Sequence, residues 1–148
     1  MTVLEKYAKL IPFLEELKDW KNEDFFKPLS EGKWSVAAIV SHFMYWDRYV
    51  LGERLALMVQ GKELPKSNIS ETAYNKEAEQ YAHSGITKKQ LIEEVIETRE
   101  SLLAQLEGKD LTVTFTVGSS EMTVSEYFED MVGHDEHHVS QIKSIIAK

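Results

Sequence analysis

The chain contains no cysteine among its 148 residues. Disulfides, thiolate metal sites and a protein-borne thiol nucleophile are thereby excluded, so any thiol chemistry has to draw its sulfur from a cosubstrate. Long apolar runs are missing as well. The longest, VAAIV (36–40) and LALMV (55–59), fall far short of the roughly 18 residues that a membrane span requires. The opening MTVLEKYAKL lacks the charged start, apolar stretch and small-residue cleavage site of a secretory signal, and a cytoplasmic protein is expected. Positive charge is in short supply: 17 Lys and Arg stand against 25 Asp and Glu, for a net charge of −8. No basic stripe reverses that balance locally, so neither nucleic acid nor a membrane surface is expected as a partner.

What is present reads as one domain over residues 1–148, with four helical segments. Thr2 and Glu5 mark the first start as a capping box, and Leu4, Ala8, Ile11, Leu14 and Leu17 carry an apolar stripe to about Trp20. Pro12 should kink this helix, because it cannot donate to the carbonyl of Ala8. Ser35 caps a second helix, predicted to run unbroken to Gln60 and to end at Gly61. ELPKSNI (63–69) reads as a loop. A third helical stretch begins at Ser70, is interrupted at HSG (83–85), and restarts at the capping box Thr87/Gln90 to reach Leu106. LTVTFTV (111–117) alternates and is followed by GSS, which predicts a small hairpin. Thr123 and Glu126 then cap the last helix, with a stripe through Val124, Phe128, Met131, His138, Ile142 and Ile145. The expected fold is all-α: an up-down four-helix bundle with a short hairpin-like insertion before the last helix.

Three of the five histidines fall in GHDEHHVSQI (133–142). His134 and His138, four apart, project from one helix face at the spacing from which two imidazoles grip one ion. His137 points away from that pair. His42 is the third candidate, on the face of the second helix shared by Ile39, Trp46 and Tyr49. Three imidazoles leave a coordination position open, as in a catalytic rather than a closed structural zinc site. The competing reading keeps His42 and His138 as satisfied core histidines, with His134 and His137 on the surface; clustering in two separated helices disfavours it. His83, beside Gly85, reads as a solvated loop residue. Gly133 in a helix interior costs roughly 1 kcal/mol, a cost that close approach of a neighbouring backbone or ligand, or tight helix packing, would offset.

HDEHH departs from the zincin motif H-E-x-x-H in having Asp135 at the general-base position, so a protease is not indicated. Asp135 and Glu136 remain candidates for holding a ligand imidazole or moving a proton, against the alternative that both face solvent. Tyr45, Trp46 and Tyr49 are candidate walls of a substrate pocket over the metal, against a plain core role.

GKWSVAAIVSHFMYWD followed by HDEHHVSQI resembles the DinB-like superfamily of metal-binding four-helix bundles, over nearly the whole chain. The resemblance implies a divalent metal on His42, His134 and His138 and a homodimer; by coordination chemistry zinc or nickel is expected, and iron or manganese could also bind. It further implies transfer or addition of a low-molecular-weight thiol to an electrophilic small molecule, with a metal-dependent hydrolase or a non-catalytic metal- or ligand-binding bundle as alternatives.

Overall fold

The computed structural model describes residues 1–65 and 70–146. In chain order it forms α1 (Val3–Ala8), α2 (Leu10–Leu17), α3 (Asn22–Phe26), α4 (Val36–Tyr49), a π-helical turn (Val50–Arg54), α5 (Leu55–Val59), β1 (Glu63–Leu64), α6 (Glu71–Ala82), α7 (Lys88–Leu106), β2 (Thr114–Val117), β3 (Ser120–Thr123) and α8 (Val124–Ile146). The predicted caps form. Ser35 Oγ accepts from Ala38 N at 3.0 Å. Thr87 and Gln90 exchange bonds at 3.1 and 3.2 Å, and Thr123 and Glu126 at 3.0 and 2.9 Å. Each satisfies backbone donors that the first helical turn leaves orphaned. The first helix divides at Lys9, one turn before Pro12, where the proline removes the bond to Ala8.

Two expectations are corrected here. The second helix is not one continuous α-helix, since five residues around Gly52 widen into a π-turn. And the ELPKSNI segment is not all loop: Glu63 and Leu64 form β1, while its residues 66–69 lie outside the described ones. β1 pairs parallel with β2, and β2 pairs antiparallel with β3. The predicted hairpin therefore carries an additional edge strand, and the fold is mostly helical but not strictly all-α. The sheet exists because Leu64 and Phe115, both buried, close one end of the core, and their backbone groups need partners once they leave water.

The up-down order is also corrected. α1 packs on α8 and α7, α2 on α7, and α4 on α7 and more sparsely on α8. Around the ring the order is thus α1–α2, α7, α4, α8. Only short connections force neighbours in sequence to be neighbours in space. The link from α2 to α4 and the one from α7 to α8 are long, and each crosses the bundle. α6 lies outside the ring, against α4. Among the described residues no helix is long and apolar enough to cross a membrane.

The apolar core is in two parts. One gathers Phe13, Leu14, Ile39, Phe43, Met44, Val95 and Ile142; the other gathers Val3, Val50, Leu102, Phe115, Phe128 and Val132. Between them runs a polar layer, one residue from each segment of the bundle: Tyr7 on α1, Asp47 on α4, Arg99 on α7 and Asp135 on α8.

Gly133 has no neighbour within 4 Å of where a side chain would begin, so neither close approach nor tight packing offsets its cost. Gly133→Ala is expected to stabilise the protein by about 0.5–1 kcal/mol, raising the melting temperature by about 1–4 °C. A lower melting temperature would show that the position serves something other than the helix.

Candidate metal centre

α4 presents His42 and α8 presents His134 and His138 to one cavity of about 290 Å3. The His42 and His138 ring centres are 5.0 Å apart, the planes at 70°. The orientation of His42 is set from α6: its Nδ1 lies 3.0 Å from Asn75 Oδ1, which also accepts the Trp46 indole N–H at 2.7 Å. An indole nitrogen only donates, so the atom between the two rings is an acceptor, and His42 meets it as Nδ1–H. Nε2 is left with its lone pair. His138 is held similarly, Nδ1 lying 2.8 Å from Gln141 Oε1. Burial, and then the neighbouring His138, push the His42 pKa down to about 4. Burial lowers that of His138 too. Both imidazoles are therefore neutral near pH 7, as metal ligands must be.

The donor chemistry fits a divalent transition metal. With metal–nitrogen bonds of ~2.0–2.1 Å and roughly 1.2 Å from nitrogen to ring centre, two imidazoles on one tetrahedral ion have their centres roughly 5 Å apart. That is the His42–His138 spacing. Among the described residues no group of three or more His, Asp or Glu side chains already stands in an ion-holding arrangement. The structure brings the His42 and His138 rings together, and the exposed His134 is the third imidazole lining the same cavity. His137 is exposed and does not line the cavity; its ring packs 5.4 Å from that of His138. His83 is exposed at the end of α6, with Nε2 2.8 Å from Ser35 Oγ, the group that caps α4.

The cavity floor is the polar layer. Arg99, 1% exposed, spends its five N–H donors there. Nε donates to Asp47 at 2.7 Å, Nη1 to Asp135 at 2.7 Å and to the Tyr7 carbonyl at 2.9 Å, and Nη2 to Asp47 and Asp135 at 3.3 and 3.2 Å. The Tyr7 hydroxyl completes Asp47 at 2.7 Å. One guanidinium therefore ties α4 to α8, the two helices that carry the histidines. Burial pushes the Asp135 carboxyl up to about 6 against the pull of Arg99.

Of the other predicted site residues, Trp46 and Tyr49 line the cavity and Tyr45 does not. Tyr45 lies toward α6, its ring 5.4 Å from Tyr74 and 6.1 Å from Tyr81, because a helical step of roughly 100° separates it from Trp46. Asp135 lines the floor, but both its oxygens are engaged by Arg99, which makes it a structural anchor rather than a free base. Glu136 is exposed and borders a separate shallow groove beside α1 and α2.

Asn75, Asp47, Arg99, Arg54 and Tyr127 escaped the sequence reading. For two of them a signal existed. Arg99 stands in the core register of α7, between Val95 and Leu102, and Asp47 stands likewise between Met44 and Val50. A charged residue in an otherwise apolar stripe must find a buried partner.

Among solved structures, YfiT from Bacillus subtilis, described as a probable metal-dependent hydrolase with an unusual four-helix bundle topology, superimposes with a TM-score of 0.72. The match covers 97% of this chain and 83% of that one at 15% identity, a likeness that speaks to the fold alone. No curated protein matches the chain. The model of the DinB superfamily matches residues 6–142, nearly the whole of the bundle that carries the three histidines, and the chain belongs to that superfamily.

Proposed function

We propose that this chain is a divalent-metal-dependent enzyme acting on a small molecule, with His42, His134 and His138 as the ligand set. The observation that carries the reading is the His42–His138 pair: two neutral imidazoles, each with Nδ1 committed to a side-chain amide, their rings at the spacing one ion requires. A metal bound there would polarise a substrate and activate a small nucleophile near neutral pH. The protein's own residues bind, orient and exclude water. Asn75 and Gln141 fix the imidazole tautomers, Arg99 holds α4 and α8 in register, and Phe43, Trp46 and Met131 keep one side of the cavity apolar. Hydrolysis, with water as nucleophile, agrees with the description of YfiT. A second reading, transfer of a low-molecular-weight thiol, is favoured by the absence of cysteine, since the nucleophile would then have to enter from outside.

Elemental analysis of protein purified without a histidine tag is expected to give about one divalent transition metal per chain, and His42→Ala is expected to lose it. Metal retained by that variant would remove His42 from the site. Turnover of model electrophiles with and without added thiol separates the two chemistries: hydrolysis proceeds without thiol, and transfer requires it. Loss of the Asn75 hydrogen bond is expected to weaken metal binding by about 10–100-fold. Asn75→Ala, measured by competition with a chelating dye, checks this, and an unchanged affinity would reduce Asn75 to a packing residue.

A further inference from the structure

The cavity has an end that the metal reading does not use. There the π-turn brings Arg54 to the wall, its guanidinium 5.1 Å over the Tyr49 ring and its Nη1 3.4 Å from the Tyr127 hydroxyl. In a regular α-helix a residue five positions after Tyr49 would stand roughly 140° around the axis from it. The extra residue of the π-turn turns Arg54 back onto the face that carries Tyr49. Such turns are rare and concentrate at functional sites. Partial burial works against the Arg54 charge, and the Tyr49 and Tyr127 hydroxyls support it.

Among the described residues Arg54 has no carboxylate partner. The other arginine of the cavity, Arg99, is saturated by Asp47 and Asp135. Of the two arginines that line the cavity among the described residues, Arg54 is thus the one without a carboxylate partner, in a chain of net charge −8. With only tyrosine hydroxyls against it among the described residues, a guanidinium of five N–H donors still has donors to offer a planar oxyanion. Glu71, on the same wall, opposes a second negative charge, which favours a carboxylate over a phosphate dianion. A volume of about 290 Å3 lies near the lower end of the ~300–1,000 Å3 of small-molecule pockets. That suits a ligand the size of a single aromatic acid.

We propose that the cavity binds a small monocarboxylic acid with an apolar or aromatic body, its carboxylate held by Arg54 and its body against Trp46, Tyr127 and Met131, so that its far end lies at His42, His134 and His138. The placing of the far end rests on the metal reading above; the carboxylate subsite does not.

Calorimetric titration of the full chain with hydrocinnamate, its neutral amide and phenyl phosphate tests this. Hydrocinnamate is expected to bind about tenfold or more tighter than the amide, as a charge-assisted pair implies. Arg54→Gln should bring the acid down to the level of the amide and leave the amide unchanged, and Arg54→Lys should restore part of the preference. The preference should survive treatment with chelator and the His42→Ala substitution, and Arg54→Gln should keep its metal. Equal binding of acid and amide, tighter binding of phenyl phosphate, or no saturable binding of the acid at millimolar concentration would overturn the proposal. A preference that persists in Arg54→Gln but vanishes on chelation would also overturn it, by moving the carboxylate to the metal and leaving the metal reading intact.

Discussion

Arg99→Leu is expected to lose about 3–5 kcal/mol of stability, because it strands the buried carboxylates of Asp47 and Asp135 without a counter-ion. For a domain of this size that is a fall in melting temperature of about 6–20 °C, readable by thermal or urea denaturation. A loss below about 1 kcal/mol would mean that water already solvates the layer. The deficit should depend on pH in a defined direction. Burial lifts Asp135 to about 6 even beside Arg99; without the guanidinium its folded pKa rises further, while an unfolded aspartate stays near ~3.9. The folded variant then holds protons that the unfolded chain has released. Its stability is greatest at low pH and is lost as pH rises through the folded pKa, so the gap to the unmodified protein narrows on acidification from neutral pH. Replacing the whole layer together (Tyr7→Phe, Asp47→Leu, Arg99→Met, Asp135→Leu) should instead be neutral or stabilising by about 1–4 kcal/mol, since no charge is left buried. That variant should still bind metal more weakly, because nothing then ties α4 to α8.

Chelation is expected to produce the other large effect. Metal present at about a thousandfold over its dissociation constant adds roughly 4 kcal/mol to folding, so its removal should lower the melting temperature by roughly 8–16 °C. His42→Ala, His134→Ala and His138→Ala should each melt at nearly the same temperature with and without chelator. His137→Ala, whose side chain lies off the cavity, should keep the full drop. The difference within each variant is the quantity to compare, because His42 and His138 are partly buried and their truncation also leaves a cavity. Loss of the drop in His137→Ala together with its survival in His134→Ala would place the site on the wrong face of α8.

Helix starts and the spacing of the histidines on α8 were legible in the chain because they depend on neighbours three or four residues apart. A threonine reaches the third amide after it whatever the rest of the molecule does, and His134 and His138 share a face by helical geometry alone. The disturbance at Pro12 is equally local, although the expected kink is in fact a division of the helix at Lys9. Tertiary structure decided the rest. Which helices are neighbours followed from long connections that permit crossing, and the pairing of β1 with β2 joined segments some fifty positions apart. The inward turn of Asp135, which the sequence left open between a role at the site and a solvent-facing position, depended on Arg99 and Asp47, since a carboxylate enters a core only where a distant partner offsets its desolvation. Asn75 could not be found from its own helix, because its role is set by His42 and Trp46 on another. The π-turn that aims Arg54 left only Gly52 as a trace in an otherwise helical run. Local chemistry determined the elements and two of the three imidazoles; the cavity, its charge and the clasp beneath it came from contacts between residues the sequence keeps far apart.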